Sequence, residues 1–184
     1  MPSFVRRTEL GLLLAICVVV VLSAALDQQH NYWQQPLDSA KFILRQTSLL
    51  GITALGAAIV IIAGGIDLSV GFVMGLCAVM MAQVMRALTP VDPTLALLAG
   101  FAAALGVSLI PGWINGTLIS RLKVPAFIGT LGMYGVARGV GFLAAGGTTV
   151  PVNNPLLFWM GTGQILGIPV PVVITIVLVL LMQY

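Results

Sequence analysis

The sequence predicts an all-α, polytopic transmembrane helix bundle of about six membrane segments, and three observations carry that reading. Hydrophobic residues make up 59% of the 184 positions, the mean hydropathy is +1.11, and only 7% of the side chains are charged. A soluble domain carries about a quarter charged residues, so this chain has too few to cover a globule of its size in water. Its apolar residues also fall into runs near the ~20 residues that a helix needs to cross a hydrocarbon core of about 30 Å. The net charge of +3 comes from a few side chains at segment ends. That is topological information and not a nucleic-acid footprint, so no nucleic-acid partner is expected.

The whole chain, 1–184, reads as a single transmembrane domain. Its first segment, 10–26, follows Arg6 and Arg7 and stops at the polar stretch 27–35. The basic start, the apolar stretch and Ser23-Ala24-Ala25 also resemble a secretory signal. The run exceeds the ~7–15 residues of a signal core, which favours retention as the first helix. Segment 47–63 leads into Gly64-Gly65-Ile66-Asp67, and segment 68–85 ends before Arg86 and the turn Thr89-Pro90-Val91-Asp92-Pro93. The Gly-broken element near 64–71 is either a turn at the membrane face or a discontinuous, re-entrant break inside the bilayer.

Segment 94–120 contains Pro111, Gly112 and Asn115 and stops at Arg121 and Lys123. Segment 124–145 is glycine-rich and holds Arg138. The loop 146–167, with Pro151, Asn153, Asn154, Pro155 and Trp159, leads to the last segment, 168–184. With the N-terminus inside, Arg6, Arg7, Arg121 and Lys123 fall on the cytoplasmic side and Lys41, Arg45 and Arg86 outside. The Trp and Tyr residues of 30–35 and 151–159 suit a membrane interface. The apolar run 172–182 closes without a basic anchor, which predicts that the sequence is part of a longer chain.

Little conventional active-site chemistry is available. Two cysteines in apolar runs, Cys17 and Cys77, and one histidine, His30, in a polar loop cannot assemble a metal site or a disulfide framework. The sequence has no phosphate-binding P-loop with which to hydrolyse ATP alone. An intramembrane serine protease is disfavoured, because the one histidine lies in the first loop.

Asp67 is the one acidic residue in the apolar stretch 47–85. An ionisable group at membrane depth is a functional candidate, and an N-cap accepting from Ser69 or Val70 is the compatible structural reading. Gly64 and Gly65 permit backbone geometries that free amides and carbonyls toward a polar solute, or a plain tight turn. Arg138 lies ~20 Å deep in a regular helix counted from Lys123. It either pairs with Asp67, snorkels to the interface, or lines a solute path. Asn115 offers an interhelical amide beside a proline-freed carbonyl, with helix packing as the simpler reading. Gly64, Gly65, Asp67, Ser69, Asn115 and Arg138 are therefore the candidate substrate-path residues. The small-residue pairs Gly71 and Gly75, Gly112 and Gly116, and Gly135 and Gly139 are the candidate helix-packing positions.

Gly64-Gly65-Ile66-Asp67-Leu68-Ser69-Val70-Gly71 resembles the signature of the permease subunits of bacterial ABC importers for monosaccharides of the ribose, xylose and arabinose type. The resemblance extends over Ile43-Leu44-Arg45-Gln46, Gly51-Ile52, Asn115-Gly116, Val124-Pro125-Ala126-Phe127-Ile128-Gly129-Thr130-Leu131-Gly132-Met133, Ala137-Arg138-Gly139 and Gly167-Ile168-Pro169-Val170-Pro171-Val172. It runs from about Lys41 onward and covers what resembles the N-terminal half of the family; Ala126 departs from a common second proline. The resemblance implies a multi-pass inner-membrane subunit that is not itself an enzyme. It also implies a second permease subunit, a cytoplasmic ATP-binding subunit that holds ATP and Mg, a periplasmic or extracellular sugar-binding protein, and transport by alternating access. No cofactor is implied for this chain itself. Permeases for nucleosides or branched-chain amino acids, and a secondary transporter or channel coupled through Asp67 and Arg138, remain the alternatives.

Overall fold

The computed structural model describes residues 2–27 and 34–183, with side chains from residue 9 onward. His30, read above as a loop residue, and the side chains of Arg6 and Arg7 lie outside the described residues. In chain order the elements are α1 (Pro2–Leu26), α2 (Pro36–Ile62), α3 (Val70–Leu88), α4 (Pro93–Ser120), α5 (Ala126–Ala144), α6 (Pro155–Thr162), a hairpin of β1 (Gln164–Ile165) and β2 (Ile168–Pro169), and α7 (Val170–Met182). The chain divides into two compact units, 1–46 and 47–184. In the first, α1 and the opening turns of α2 leave an open groove of about 390 Å³ between Val20, Ala24, Ala25, Pro36 and Ala40. Every candidate site residue belongs to the second.

Among the described residues five helices are long and apolar enough to cross a membrane: α1 through its stretch Glu9–Leu26, and α2, α3, α4 and α5. Their large apolar side chains are mostly turned outward, among them Leu105, Leu109, Trp113, Val136 and Phe142. In water that distribution would aggregate; with lipid as the solvent it carries no cost, and packing and polar contacts hold the helices together instead. The chain is thus an all-α polytopic bundle, as the composition indicates.

In the second unit α3 is central and packs chiefly against α4 and then α5. Where the seams close, one helix lacks a side chain. Met85 of α3 is fully buried against Gly100 of α4, where an added Cβ would lie 2.6 Å from Met85 Cγ and 3.1 Å from Met81 Cγ. On α5, a Cβ at Gly141 would stand 3.5 Å from the Leu76 Cα. Small residues admit close backbone approach, and dispersion at such contacts replaces the hydrophobic drive that lipid removes. The expected packing glycines are not these. Among the described residues a Cβ at Gly71, Gly75, Gly112, Gly116, Gly135 or Gly139 meets nothing within 4 Å, and the close approaches lie elsewhere. Spacing of four residues identifies one helix face, but not whether a neighbour lies over it.

Side-chain bonds fasten the end of the bundle where α3 and α5 finish and α4 begins. Asp92 caps α4 by accepting from the Leu95 amide at 2.6 Å, with Pro93 at the first helical position. Gln83 donates to the Ala144 carbonyl at 2.9 Å, satisfying one of the carbonyls that a helix C-terminus leaves free. Asn154, almost fully buried, caps α6 by accepting from the Leu156 and Leu157 amides and donates to the Pro93 carbonyl at 2.8 Å.

Three segment boundaries differ from the sequence reading. The segment read as 47–63 is the second half of α2, which starts at Pro36 and runs 27 residues, about 40 Å. Its first turns carry Asp38, Lys41 and Arg45, which lower hydropathy without opposing helix formation. The last segment, 168–184, is divided: 168–169 form the second strand of a hairpin, and α7 has 13 residues, about 20 Å. The loop 146–167 is not irregular throughout, since it contains α6 and β1.

Candidate functional site

The break between α2 and α3 is built from two local devices. Gly64, at φ +78°, ends α2: its amide donates to the Ile61 carbonyl and that of Gly65 to the Val60 carbonyl, the bond pair of a Schellman cap. Only glycine takes that backbone region without strain. Asp67 then leads into α3, its Oδ1 accepting from the Ser69 amide at 2.8 Å and from the Ser69 hydroxyl at 2.6 Å. The bond from the Ser69 amide expected for Asp67 is present, but the N-cap of α3 is Ser69, so Asp67 closes a turn ahead of the helix and does not itself cap it.

From Ser69 the contacts leave the break. Ser69 is 1% exposed and Asn115, on α4, is 7% exposed. Asn115 Nδ2 donates to Ser69 Oγ at 3.2 Å, across 46 residues of sequence. Because the Ser69 hydroxyl in turn donates to Asp67, the Asn115 amide, the hydroxyl and the carboxyl group form one polarised chain. Among the described residues the buried Asn115 Oδ1 has no hydrogen-bond partner. Thr130 of α5 closes the third side: its hydroxyl donates mainly to the Ala126 carbonyl of its own helix at 2.8 Å and lies 3.4 Å from the Ile66 carbonyl. Nothing in the spacing of the sequence singled out Thr130, because a threonine that bonds its own helix looks like any other helical threonine.

The break thus sits at the end of the bundle where α3 and α5 begin and α4 finishes. Asn115 precedes the end of α4 by five residues, about 8 Å, so the polar chain lies between one and two helical turns inside that end. Five of the six candidate path residues, Gly64, Gly65, Asp67, Ser69 and Asn115, are gathered there. Arg138 is not.

Arg138 is twelve residues into α5, about 18 Å from its start. Its guanidinium Cζ stands 5.5 Å from the centroid of the Phe72 ring, which in turn meets Tyr134 edge-on at 4.4 Å and 73°. The pairing with Asp67 weighed from sequence is not formed; Asp67 is taken up by Ser69, and Arg138 rests on an aromatic face. A cation over a ring is stabilised by about 0.5–2 kcal/mol, depending on how far both are desolvated. Arg138 also borders an open groove of about 620 Å³ between α3 and α5, lined in part by Gly75, Val79, Gly135 and Gly139. Those glycines therefore widen a groove here instead of closing a seam. Among the described residues no group of three His, Cys, Asp or Glu stands close enough to hold a metal ion.

Lipid-facing helices around a helix break with an internally satisfied carboxylate define a multi-pass membrane protein with a polar element inside its bundle. Residues 39–183 match the family described as the branched-chain amino acid transport system / permease component, and the chain belongs to that family. It is a multi-pass protein of the inner membrane.

The galactofuranose transporter permease protein YtfT of Escherichia coli K12 is 33% identical over 174 residues, 91% of this chain and 49% of that protein. The autoinducer 2 import system permease protein LsrC of Shigella flexneri is 31% identical over 185 residues, covering 100% of this chain and 51% of that protein. The ribose import permease protein RbsC of E. coli K12 is 33% identical over 171 residues, 91% of this chain and 49% of that protein. The chain spans about half the length of these curated relatives. No solved structure matches it significantly.

Proposed function

We propose that the protein carrying this chain is the permease subunit of an ATP-driven importer whose cargo is a monosaccharide such as ribose. The observation that carries the reading is the family match over 39–183 together with relatives named for ribose import and for galactofuranose transport. Transport then requires partners: a second permease subunit, a cytoplasmic ATP-binding subunit that binds ATP and Mg, and a periplasmic or extracellular sugar-binding protein. The broken element at 64–69 is the contribution of this chain to the path. A solute rich in hydroxyls must be held by hydrogen-bonding groups, and held weakly enough to leave. Asp67, Ser69 and the free acceptor of Asn115 supply such groups beside broken backbone. Arg138, held on Phe72 at another level, is a second polar point along α5.

The test is uptake of labelled ribose by cells expressing the full-length protein with its ATPase and binding protein. Accumulation is expected to survive a protonophore and to stop when ATP is depleted or the ATPase is inactivated. Uptake that follows a proton or sodium gradient would overturn the reading in favour of a secondary transporter. Uptake of leucine in place of sugar would support the cargo named in the family description.

A further inference from the structure

We propose that residues 155–169, the short helix α6 with the hairpin that follows it, form an anchor lying in the membrane interface at the end of the bundle where α4 begins. The chain from 139 to 184 contains no charged residue. Within it, α6 is apolar on every side, and at eight residues, about 12 Å, it is far too short to span. The Asn154 bond to the Pro93 carbonyl fastens it at the start of α4, and β2 runs directly into α7. The segment is therefore continuous, in space and in sequence, with helices whose outer surfaces face lipid.

Its side chains are exposed where a water-facing loop would hide them. Phe158 is 71% exposed, Trp159 is half exposed, and Leu166 at the hairpin tip is 99% exposed. Leu166 and Gly167 form the two-residue turn at φ +51° and +82°, the backbone of primed hairpin turns, which places a leucine where asparagine is usual. Gly163 leaves room for the indole: a Cβ there would come within 2.7 Å of Trp159 Nε1. Tryptophan with an apolar body and a polar N–H is the side chain most favoured at the headgroup level. Backbone bonds hold the segment together: the Gly163 amide donates to the Trp159 carbonyl, the Val170 amide donates to the Gly163 carbonyl, and β1 pairs with β2. With no cation in the segment, burial of apolar surface holds it and lipid charge has no part.

The test uses the full-length protein, cleared of its other cysteines and reconstituted in phosphatidylcholine bilayers. Nitroxide labels are placed in turn at Leu166→Cys and Phe158→Cys. Both labels are expected to collide more with oxygen than with a water-soluble nickel chelate, at a depth of about 5–10 Å below the headgroup boundary. That depth is expected to stay the same when phosphatidylglycerol is added. Labels more accessible to nickel than to oxygen would show a water-exposed loop and overturn the proposal. Labels shielded from both reagents would show that protein, either the rest of the chain or a second copy, covers the segment, and would overturn it equally.

Discussion

Replacing Gly100 with valine in the full-length protein is expected to abolish accumulation of folded protein in the membrane. The first carbon of any side chain at this position stands 2.6 Å from Met85 Cγ, 3.1 Å from Met81 Cγ and 3.2 Å from Met85 Sδ. Met85 has no exposed surface to retreat into, so relief requires that α3 and α4 move apart along their main seam. Inserting single methylenes into a packed core costs about 1–3 kcal/mol, and valine adds three carbons. A cost at or beyond the top of that range consumes much of a total stability of about 5–15 kcal/mol. Gly106→Val is the control on the same helix, since a Cβ there meets nothing within 4 Å. Size-exclusion profiles and thermal unfolding in detergent should show Gly106→Val near wild type and Gly100→Val aggregated or absent.

The second large effect is expected from Ser69→Ala. The substitution adds no bulk at a buried position and removes the hydroxyl that donates to Asp67 and accepts from Asn115. Both ends of the Asn115 amide are then without partners, at 7% exposure. A stranded buried amide costs about 1–3 kcal/mol, and Asp67 loses the shorter of its two bonds as well. A double-mutant cycle with Asn115→Leu isolates the contact, because the second substitution removes the group that the first one strands. Residues in one hydrogen-bond network couple by about 0.5–3 kcal/mol, so the pair should cost clearly less than the sum of the single changes. Additive costs would mean that Ser69 and Asn115 act independently.

The polar chain was legible in the sequence for a physical reason. Lipid penalises polar side chains, so Gly-Gly-Ile-Asp and a lone asparagine inside apolar runs stand out and must point inward. Asp67, Ser69 and Asn115 meet as that logic requires. Arg138 follows the same logic but satisfies itself on Phe72, because an aromatic face is an acceptor that leaves no trace in a list of polar residues.

Packing was less legible. Glycines four apart recur along α3, α4 and α5, yet the contacts that decide the bundle fall at Gly100 and Gly141, which have no glycine partner at that spacing. The start of α2 and the division of the last segment were missed for opposite reasons. Hydropathy loses helix turns that carry Asp38, Lys41 and Arg45, and it cannot see a hairpin whose strands and turn are themselves apolar.

Uptake by full-length protein carrying Asp67→Asn or Asn115→Ala, compared with wild type at equal membrane abundance, tests most directly whether the break at 64–69 belongs to the transport path. Asp67→Asn keeps an acceptor for Ser69 while removing the charge, and Asn115→Ala removes the free acceptor and the bond to Ser69. The expected result is normal abundance with uptake reduced about tenfold or more in each, equivalent to at least about 1.4 kcal/mol lost along the path. Wild-type uptake by both variants would take these residues out of the path and leave the break as a structural joint alone.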